Sequence, residues 1–143
     1  MNKKQEVISV ANMEAGKKFL EENKTKEGIV ALESGLQYKV LAEGNGVFPA
    51  AEDTVEVHYK GTLIDGKEFD SSYTRGQTAK LALNQFIPGW IEGMQKVSEG
   101  GKISLYIPAD LAYGNQKMGT IEAGSTLIFE VELIKVSKAV VKK

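Results

Sequence analysis

The sequence predicts an α+β domain, in which a curled antiparallel β-sheet packs around one short α-helix and follows an N-terminal helical arm. Three observations predict this class. Beyond Gly35, apolar and polar residues alternate with a period of two in several runs, turn residues separate those runs, and a single helical pattern interrupts them. At 143 residues, the chain is long enough to bury one hydrophobic core.

The arm is predicted to be a helix from about Asn12 to Asn23. Most of its residues are good helix formers, Asn12 suits the N-cap, and Glu14 suits the first turn. The apolar stripe expected to dock on the body consists of Ala11, Ala15 and Phe19. The polar residues from Asn23 to Gly28 then predict a solvent-exposed link to the sheet.

Four alternating runs predict half-buried strands in the body. Their inward-facing residues are Leu36, Tyr38 and Val40; Val55, Val57 and Tyr59; Ile103, Leu105 and Ile107; and Leu127, Phe129, Val131 and Leu133. Asp65-Gly66 lies between Thr62-Leu63-Ile64 and Lys67-Glu68-Phe69 and predicts a hairpin. The helical pattern covers residues 89–97, where Trp90, Met94 and Val97 fall on one face.

Composition and charge limit the function classes. The chain has no cysteine, so a disulfide is impossible, and this permits, without proving, a cytoplasmic location. The net charge is −1, which provides no bulk attraction to nucleic acids or anionic membranes. No stretch approaches the roughly 20 apolar residues of a membrane span, and Val7–Ala11 is too short for a signal sequence. We therefore expect a soluble cytoplasmic protein without nucleic-acid or membrane partners.

The candidate chemical groups favour binding over covalent catalysis. His58 is the only histidine, and strand alternation turns it to the opposite side from Tyr59, so neither a metal site nor a Ser-His-Asp arrangement is expected. Asp70 has two interpretations: an Asx-turn or cap residue, or a charge held by the Tyr59 hydroxyl or Arg75. Tyr113 lies in a predicted loop, where a large ring suits the cap of a concave site. Each aromatic residue, taken singly, is also compatible with ordinary core packing.

Four motifs, in this order and at these intervals, resemble those of the FKBP-type peptidyl-prolyl cis-trans isomerases. They are Val57-His58-Tyr59-Lys60-Gly61, Phe69-Asp70-Ser71-Ser72, Ile87-Pro88-Gly89-Trp90 and Ala112-Tyr113-Gly114. The resemblance extends from about Leu32 to Val136. It implies three segments, namely an N-terminal helical arm and linker at 1–31, an isomerase domain at 32–137 and a basic tail at 138–143.

The arm also carries a resemblance. Residues 16–24 and the link at 33–40 resemble the bacterial branch related to the macrophage infectivity potentiators, in which a longer helical arm often dimerises the protein. Because the arm of this chain is much shorter, we expect a monomer, with a dimer through the arm as the alternative.

The resemblance implies a half-barrel sheet wrapped around the short helix, with a hydrophobic groove between them. It assigns catalytic positions to Tyr59, Asp70 and Tyr113. It assigns substrate-binding positions to Phe69, Arg75, Phe86, Ile87, Trp90, Ile121 and Phe129. Trp90 would form the floor beneath a proline ring, and the Tyr113 hydroxyl and the Ile87 backbone N–H would donate to substrate carbonyls. This interpretation requires a cavity that opens onto the indole of Trp90.

The activity implied by the resemblance is the acceleration of X-Pro amide rotation in unfolded or flexible polypeptides, which assists protein folding without covalent catalysis, a metal or a cofactor. The implied partners are proline-containing polypeptides and macrolide inhibitors of the FK506 and rapamycin class. Two other functions stay open. One is a non-catalytic chaperone that binds peptides in the same groove, and the less favoured one is a barrel that carries a small apolar ligand.

Overall fold

The computed structural model describes residues 3–114 and 116–139 and confirms the predicted α+β class. The helices are α1 (Lys3–Asn23), α2 (Ser72–Arg75) and α3 (Pro88–Gly93). The strands are β1 (Val30–Ala31), β2 (Gln37–Ala42), β3 (Thr54–Leu63), β4 (Glu68–Ser71), β5 (Ala79–Ala82), β6 (Lys102–Ile107) and β7 (Leu127–Ser137). Single turns of 3-10 helix occur at Leu83–Gln85, Met94–Lys96 and Ala109–Leu111. The sequence patterns did not predict β1, β5 and α2, because elements this short carry too little periodicity.

The strands form one seven-stranded antiparallel sheet in the order β1-β2-β6-β7-β3-β4, with β5 also paired to β3. β7 pairs with β3 along one edge of that strand, from Thr54 opposite Ser137 to Leu63 opposite Leu127. The other edge of β3 is shared, since β5 pairs with residues 54–57 and β4 pairs with residues 60–62. Within the described residues, His58 and Tyr59 therefore have no neighbouring strand on that edge.

The predicted alternation is confirmed in β3, β6 and β7. The inward-facing residues with no exposed surface are Val55, Val57, Ile103, Leu105, Ile107, Leu127, Val131 and Leu133. β2 departs from the prediction, because Val40 is 37% exposed whereas polar Gln37 is buried. Gln37 accepts a hydrogen bond from Asn23 and donates one to the backbone oxygen of Leu20, so the docked arm provides it with polar partners.

Two glycines seat α3 against the concave face of the sheet. A methyl group at Gly89 would lie 2.5 Å from Ile107, and one at Gly93 would lie 2.5 Å from Leu105, so larger residues would push the helix away from β6. The predicted apolar face is confirmed, since Trp90, Met94 and Val97 are all buried. The close approach of α3 to the sheet places Trp90 in the centre of the domain.

The predicted arm was wrong in its start and in two of the three residues of its docking stripe. The helix begins at Lys3, and Asn12 does not cap it but donates to the backbone oxygen of Ala123 at 2.9 Å. Ala11 and Ala15 are exposed, whereas Phe19 is half-buried and its ring centroid lies 6.2 Å from that of Tyr106 on β6. Within residues 6–23, the buried residues of α1 are Ser9, Gly16 and Asn23. Apolar periodicity identified only part of this face, because small and polar residues make much of the contact.

The C-terminal end of the described chain is held by a buried carboxylate. Asp53 is 2% exposed and accepts hydrogen bonds from the backbone N–H groups of Ala50 and Ala139 and from Lys138 Nζ. Burial raises the pKa of Asp53, but these hydrogen bonds lower it by more, so the pKa lies below its ordinary value. The remainder of the predicted basic tail, 140–143, lies outside the described residues.

We predict that Gly16→Leu displaces α1 from the body, because any side chain at this position would overlap Thr126. Overpacking of this kind typically costs about 1–3 kcal/mol. Hydrogen exchange at the backbone amides of α1 should accelerate, and the melting temperature should fall.

Ala15→Leu is the matched control, since it makes the same enlargement at an exposed neighbouring position. It should leave exchange in α1 unchanged. Equal exchange protection in the Gly16 and Ala15 variants would contradict the docked position of the arm.

Candidate active site

A cluster of aromatic rings surrounds Trp90 at the concave face of the sheet. The indole meets Tyr59 and Phe129 edge to face, with ring centroids 5.6 and 5.3 Å apart, and lies 4.7 Å from the ring of Phe86. Phe69 packs edge to face on Phe129 at 5.5 Å. Such geometries are the preferred ones for aromatic pairs. The predicted wall residues are therefore brought together.

The register of β3 and β7 creates the space for these rings. Gly61 lies directly opposite Phe129, and a methyl group at Gly61 would come within 2.6 Å of Phe69 and 3.0 Å of Phe129. The absence of a side chain at this one position of β3 allows the two phenylalanine rings to lie over the strand. The sequence motif Val57–Gly61 contains this glycine, but its role becomes evident only from the close approach of the two rings in the structure.

A polar triad lies beside the aromatic cluster. The Tyr59 hydroxyl donates to Asp70 Oδ2, and the Arg75 guanidinium donates to Asp70 Oδ1 and, at 3.0 Å, to the Tyr59 hydroxyl. These are the partners suggested for Asp70 by the second interpretation of the sequence. The first interpretation is wrong for the cap of α2, because the side chain that accepts from the backbone N–H of Thr74 belongs to Ser71.

The triad fixes the protonation of its members. Burial raises the pKa of Asp70, but the hydrogen bonds from Tyr59 and Arg75 lower it by more, so this carboxyl titrates below its ordinary range. Burial and the neighbouring Asp70 raise the pKa of Tyr59. At neutral pH the site therefore holds a carboxylate and a protonated phenol. The carboxylate stays partly open to solvent, since its side chain is 40% exposed.

The rim of the site carries two hydrogen-bond donors. A cavity of about 370 Å³ is lined by Gln85, Phe86, Ile87, Pro88 and Tyr113. Neither the Tyr113 hydroxyl nor the Ile87 backbone N–H bonds to another residue in the described part of the chain. Burial, with a contribution from Asp70, raises the pKa of Tyr113 and keeps its hydroxyl proton in place. Ile121 lies in the loop after Tyr113 and is 7% exposed, with its backbone bonded to Met118.

The expected opening onto Trp90 is absent from this conformation. The indole has no exposed surface and does not line the cavity at the rim. Phe86 lines that cavity and also packs on the indole, so its ring covers the floor. The indole N–H is buried without a hydrogen-bond partner. Sequence motifs place a residue in the fold, but they do not specify the rotamer of its neighbour, and the prediction was wrong for this reason.

Other sites are less suited to hold a proline ring. A larger cavity of about 410 Å³ lies between α1 and the body, but no aromatic side chain lines it. His58 lies outside the aromatic cluster, with Nδ1 2.8 Å from Ser72 Oγ and its ring stacked on Tyr73. Within the part of the chain that the structure describes, no group of three or more His, Asp or Glu side chains could hold a metal ion.

Two family models match the chain. The model described as FKBP-type peptidyl-prolyl cis-trans isomerase matches residues 46–134, and the model described as the domain amino-terminal to that isomerase matches residues 1–40. The second match covers all of α1, whose sequence pattern alone predicted only its C-terminal half.

Individual relatives resemble most of the chain. The FKBP-type peptidyl-prolyl cis-trans isomerase FkpA of Aeromonas hydrophila is 48% identical over 130 residues, which cover 91% of this chain and 48% of the relative. Outer membrane protein MIP of Legionella longbeachae is 48% identical over 129 residues, which cover 90% of this chain and 55% of the relative. The chain thus spans about half the length of the curated relatives it matches. The crystal structure of FkpA from Escherichia coli has a TM-score of 0.93 at 46% identity and covers 96% of this chain and 64% of that one.

The cytoplasmic location predicted from composition is wrong, since the similar protein from Legionella longbeachae is named an outer membrane protein. A chain without cysteine forms no disulfide in any compartment, so this feature of the composition does not distinguish between locations. No helix within residues 3–114 and 116–139 is long and apolar enough to cross a membrane.

We predict that Tyr59→Phe raises the pKa of Asp70, because the phenol donates one of the hydrogen bonds that stabilise the carboxylate. A carboxyl with a lowered pKa stabilises the fold above its unfolded pKa, and this contribution is lost as the pH falls through the folded pKa. In the variant, the loss should therefore begin at a higher pH. The titration of the Asp70 carboxyl carbon, followed by NMR, measures the shift directly.

Tyr38→Phe serves as the control, because it removes the hydroxyl of a half-buried tyrosine on β2, away from the triad. It should leave the Asp70 titration unchanged. An Asp70 pKa that is equal in the wild type and the Tyr59 variant would contradict the role of the phenol as a donor.

Proposed function

The chain belongs to the FKBP-type peptidyl-prolyl cis-trans isomerase family, and from this premise we propose that it accelerates rotation about X-Pro bonds in unfolded or flexible polypeptides and thereby assists their folding. The observation that carries the proposal is an aromatic cluster with two unpaired backbone and hydroxyl donors at its rim and a carboxylate beside it. No nucleophile or proton acceptor is needed for this reaction.

The physics of the reaction requires little more than such a site. Rotation about the amide bond interrupts its resonance and has a barrier of about 20 kcal/mol. The twisted amide has less charge separation than the planar one, so removal from water costs it less. A site that binds the twisted amide more tightly than either planar isomer lowers the barrier. Apolar walls provide the dry environment, and the donors select the geometry.

We assign the roles of the individual residues as follows. The proline ring rests on Trp90 between Tyr59, Phe69 and Phe129. The Tyr113 hydroxyl and the Ile87 N–H donate to the substrate carbonyls on either side of the rotating bond, and Ile121 covers the mouth. Asp70 lies beside the amide, with its charge held by Tyr59 and Arg75.

Access to the floor requires movement of one ring. Phe86 lines the outer cavity and packs on Trp90, and it is only partly buried. A side chain in this position rotates without breaking a hydrogen bond. We propose that Phe86 moves aside as the proline ring enters and then forms part of the wall.

The proposed partners are polypeptides that contain proline, and macrolides of the FK506 and rapamycin class that occupy the same groove. We propose that residues 32–137 form the catalytic unit, preceded by the arm and linker at 1–31 and followed by the basic tail at 138–143. We further propose a monomer. In a dimer, the contact would be made by Val7, Val10 and Met13, which are exposed on α1.

A second candidate function is a chaperone that binds peptides in the same groove without catalysis. It is favoured by one observation: apolar side chains, those of Phe86, Ile87 and Pro88, line the cavity at the rim and could contact the apolar residues of an unfolded segment. The two functions differ in their dependence on the polar groups, because apolar binding alone does not need Asp70 or the Tyr113 hydroxyl.

We predict that the protein accelerates the isomerisation of an X-Pro peptide and that Tyr113→Phe lowers kcat/KM about 2- to 10-fold, which corresponds to the loss of one hydrogen bond. Tyr38→Phe should have no effect, and a macrolide of the FK506 class should inhibit the wild type and change the fluorescence of the single tryptophan, Trp90. A rate equal to the spontaneous one would contradict the proposal.

We predict that combining Asp70→Leu with Tyr113→Phe greatly reduces isomerisation but leaves the suppression of aggregation of an unfolded client unchanged. The apolar walls remain in this variant, whereas the polar groups that select the twisted amide are lost. Parallel assays of both activities on the same protein preparations make the comparison. A proportional loss of both activities would show that they are not separable.

A further inference from the structure

We propose that Ser72 is a positioning residue for the isomerase site: its buried hydroxyl replaces the missing strand neighbour of Tyr59 and ties that residue to the short helix that carries Arg75. This inference rests on the proposed function. It assigns Ser72 no contact with the substrate.

The need for such a residue follows from the sheet. On the edge of β3 away from β7, β5 pairs with residues 54–57 and β4 with residues 60–62. Tyr59 lies in the gap between these ladders, and its backbone N–H points into the gap. Tyr59 is also 7% exposed, so water does not readily satisfy this group. A buried N–H without a partner would cost about 1–3 kcal/mol.

The Ser72 hydroxyl fills this gap. Its oxygen has no exposed surface, accepts a hydrogen bond from the Tyr59 N–H at 2.7 Å, and lies 3.3 Å from the Tyr59 carbonyl oxygen. The same oxygen lies 2.8 Å from His58 Nδ1. A hydroxyl has one proton and two lone pairs, so it can accept from Tyr59 while it donates to one of the two acceptors. An aliphatic side chain can do neither.

The position of Ser72 links two partners of the same carboxylate. Ser72 is the first residue of α2 and Arg75 is the last, so the helix is a single turn whose first residue is tied to β3 by the Ser72 hydroxyl. Tyr59 and Arg75 both donate to Asp70, and Arg75 also donates to Tyr59. Loss of the Ser72 hydroxyl would therefore remove the hydrogen bond that joins β3 to α2. Tyr59 and Arg75 would then no longer be held in fixed positions relative to each other.

Ser71 offers a matched comparison. It is the adjacent serine, is 5% exposed, and caps the same helix by accepting from the backbone N–H of Thr74. Its side chain makes no hydrogen bond to Tyr59 in the described structure. Replacement of each serine by alanine removes the same group from the same helix terminus, but only the change at Ser72 breaks the tie to β3.

The experiment compares Ser72→Ala with Ser71→Ala. For Ser72→Ala, we expect kcat to fall about 3- to 30-fold with little change in KM, and the NMR titration of Asp70 to move to higher pH. For Ser71→Ala, we expect a loss of stability typical of a helix cap, with the kcat and the Asp70 titration close to those of the wild type. Ser72→Cys retains a weak donor and acceptor and should give intermediate values, and it replaces the alanine variant if that variant does not fold.

Two results would overturn the proposal. One is an Asp70 titration in the Ser72 variants that matches the wild type, and the other is an equal effect of the Ser71 and Ser72 substitutions, which would indicate a general requirement for the helix start. If the wild type lacks isomerase activity, the proposed function fails. The Asp70 titration still decides whether Ser72 positions the triad.

Discussion

The packing of Trp90 against the rings of Tyr59, Phe86 and Phe129 is the contact on which the rest of the structure depends. It joins α3 to two strands that are adjacent in the sheet but distant in sequence. Because Gly89 and Gly93 let α3 approach β6 closely, the indole reaches the concave face, where β3 and β7 present their aromatic residues. Buried aromatic side chains contribute large apolar areas as well as favourable edge-to-face contacts. The same cluster therefore stabilises the core and forms the inner end of the groove.

The polar half of the site is compatible with this apolar core because its charges are paired. A carboxylate beside aromatic rings would be costly to desolvate on its own. Asp70 avoids this cost through the donors on Tyr59 and Arg75 and through partial contact with solvent. Its pKa stays below the ordinary range, so the negative charge is present at neutral pH. The Ile87 N–H and the Tyr113 hydroxyl border the cavity at the rim, and Asp70 is close enough to Tyr113 to contribute to its raised pKa.

Much of this arrangement could be predicted from the sequence. A period of two identified β3, β6 and β7, since each has one buried face. The four motifs contain Tyr59, Phe69, Asp70 and Trp90, whereas Arg75, Phe86 and Phe129 lie outside the motifs and were assigned to the site through the family resemblance. The errors have physical causes. Apolar periodicity identified Phe19, which packs on Tyr106, but it does not detect Ser9, Gly16 and Asn23, which are the buried residues of the docked arm. The closed floor depends on the rotamer of Phe86, which is a property of packing and is absent from any sequence pattern. The location depends on segments and signals that composition does not describe.

The groups assigned to chemistry lie where the sheet is least regular, and the topology explains why. β4 ends at Ser71 and β5 begins at Ala79, so the chain leaves the edge of β3 and returns to it further along the same strand. A continuous ladder at this edge would satisfy Tyr59 by backbone pairing, but it would leave no room for α2 and therefore no position for Arg75. The interruption leaves space for α2 beside β3. Asp70 near the end of β4 can therefore accept hydrogen bonds from Arg75 on α2 and from Tyr59 on β3. The Ser72 hydroxyl then accepts the hydrogen bond from the Tyr59 N–H that a neighbouring strand would otherwise accept. The irregular edge is thus the structural condition for placing a paired carboxylate beside an apolar groove.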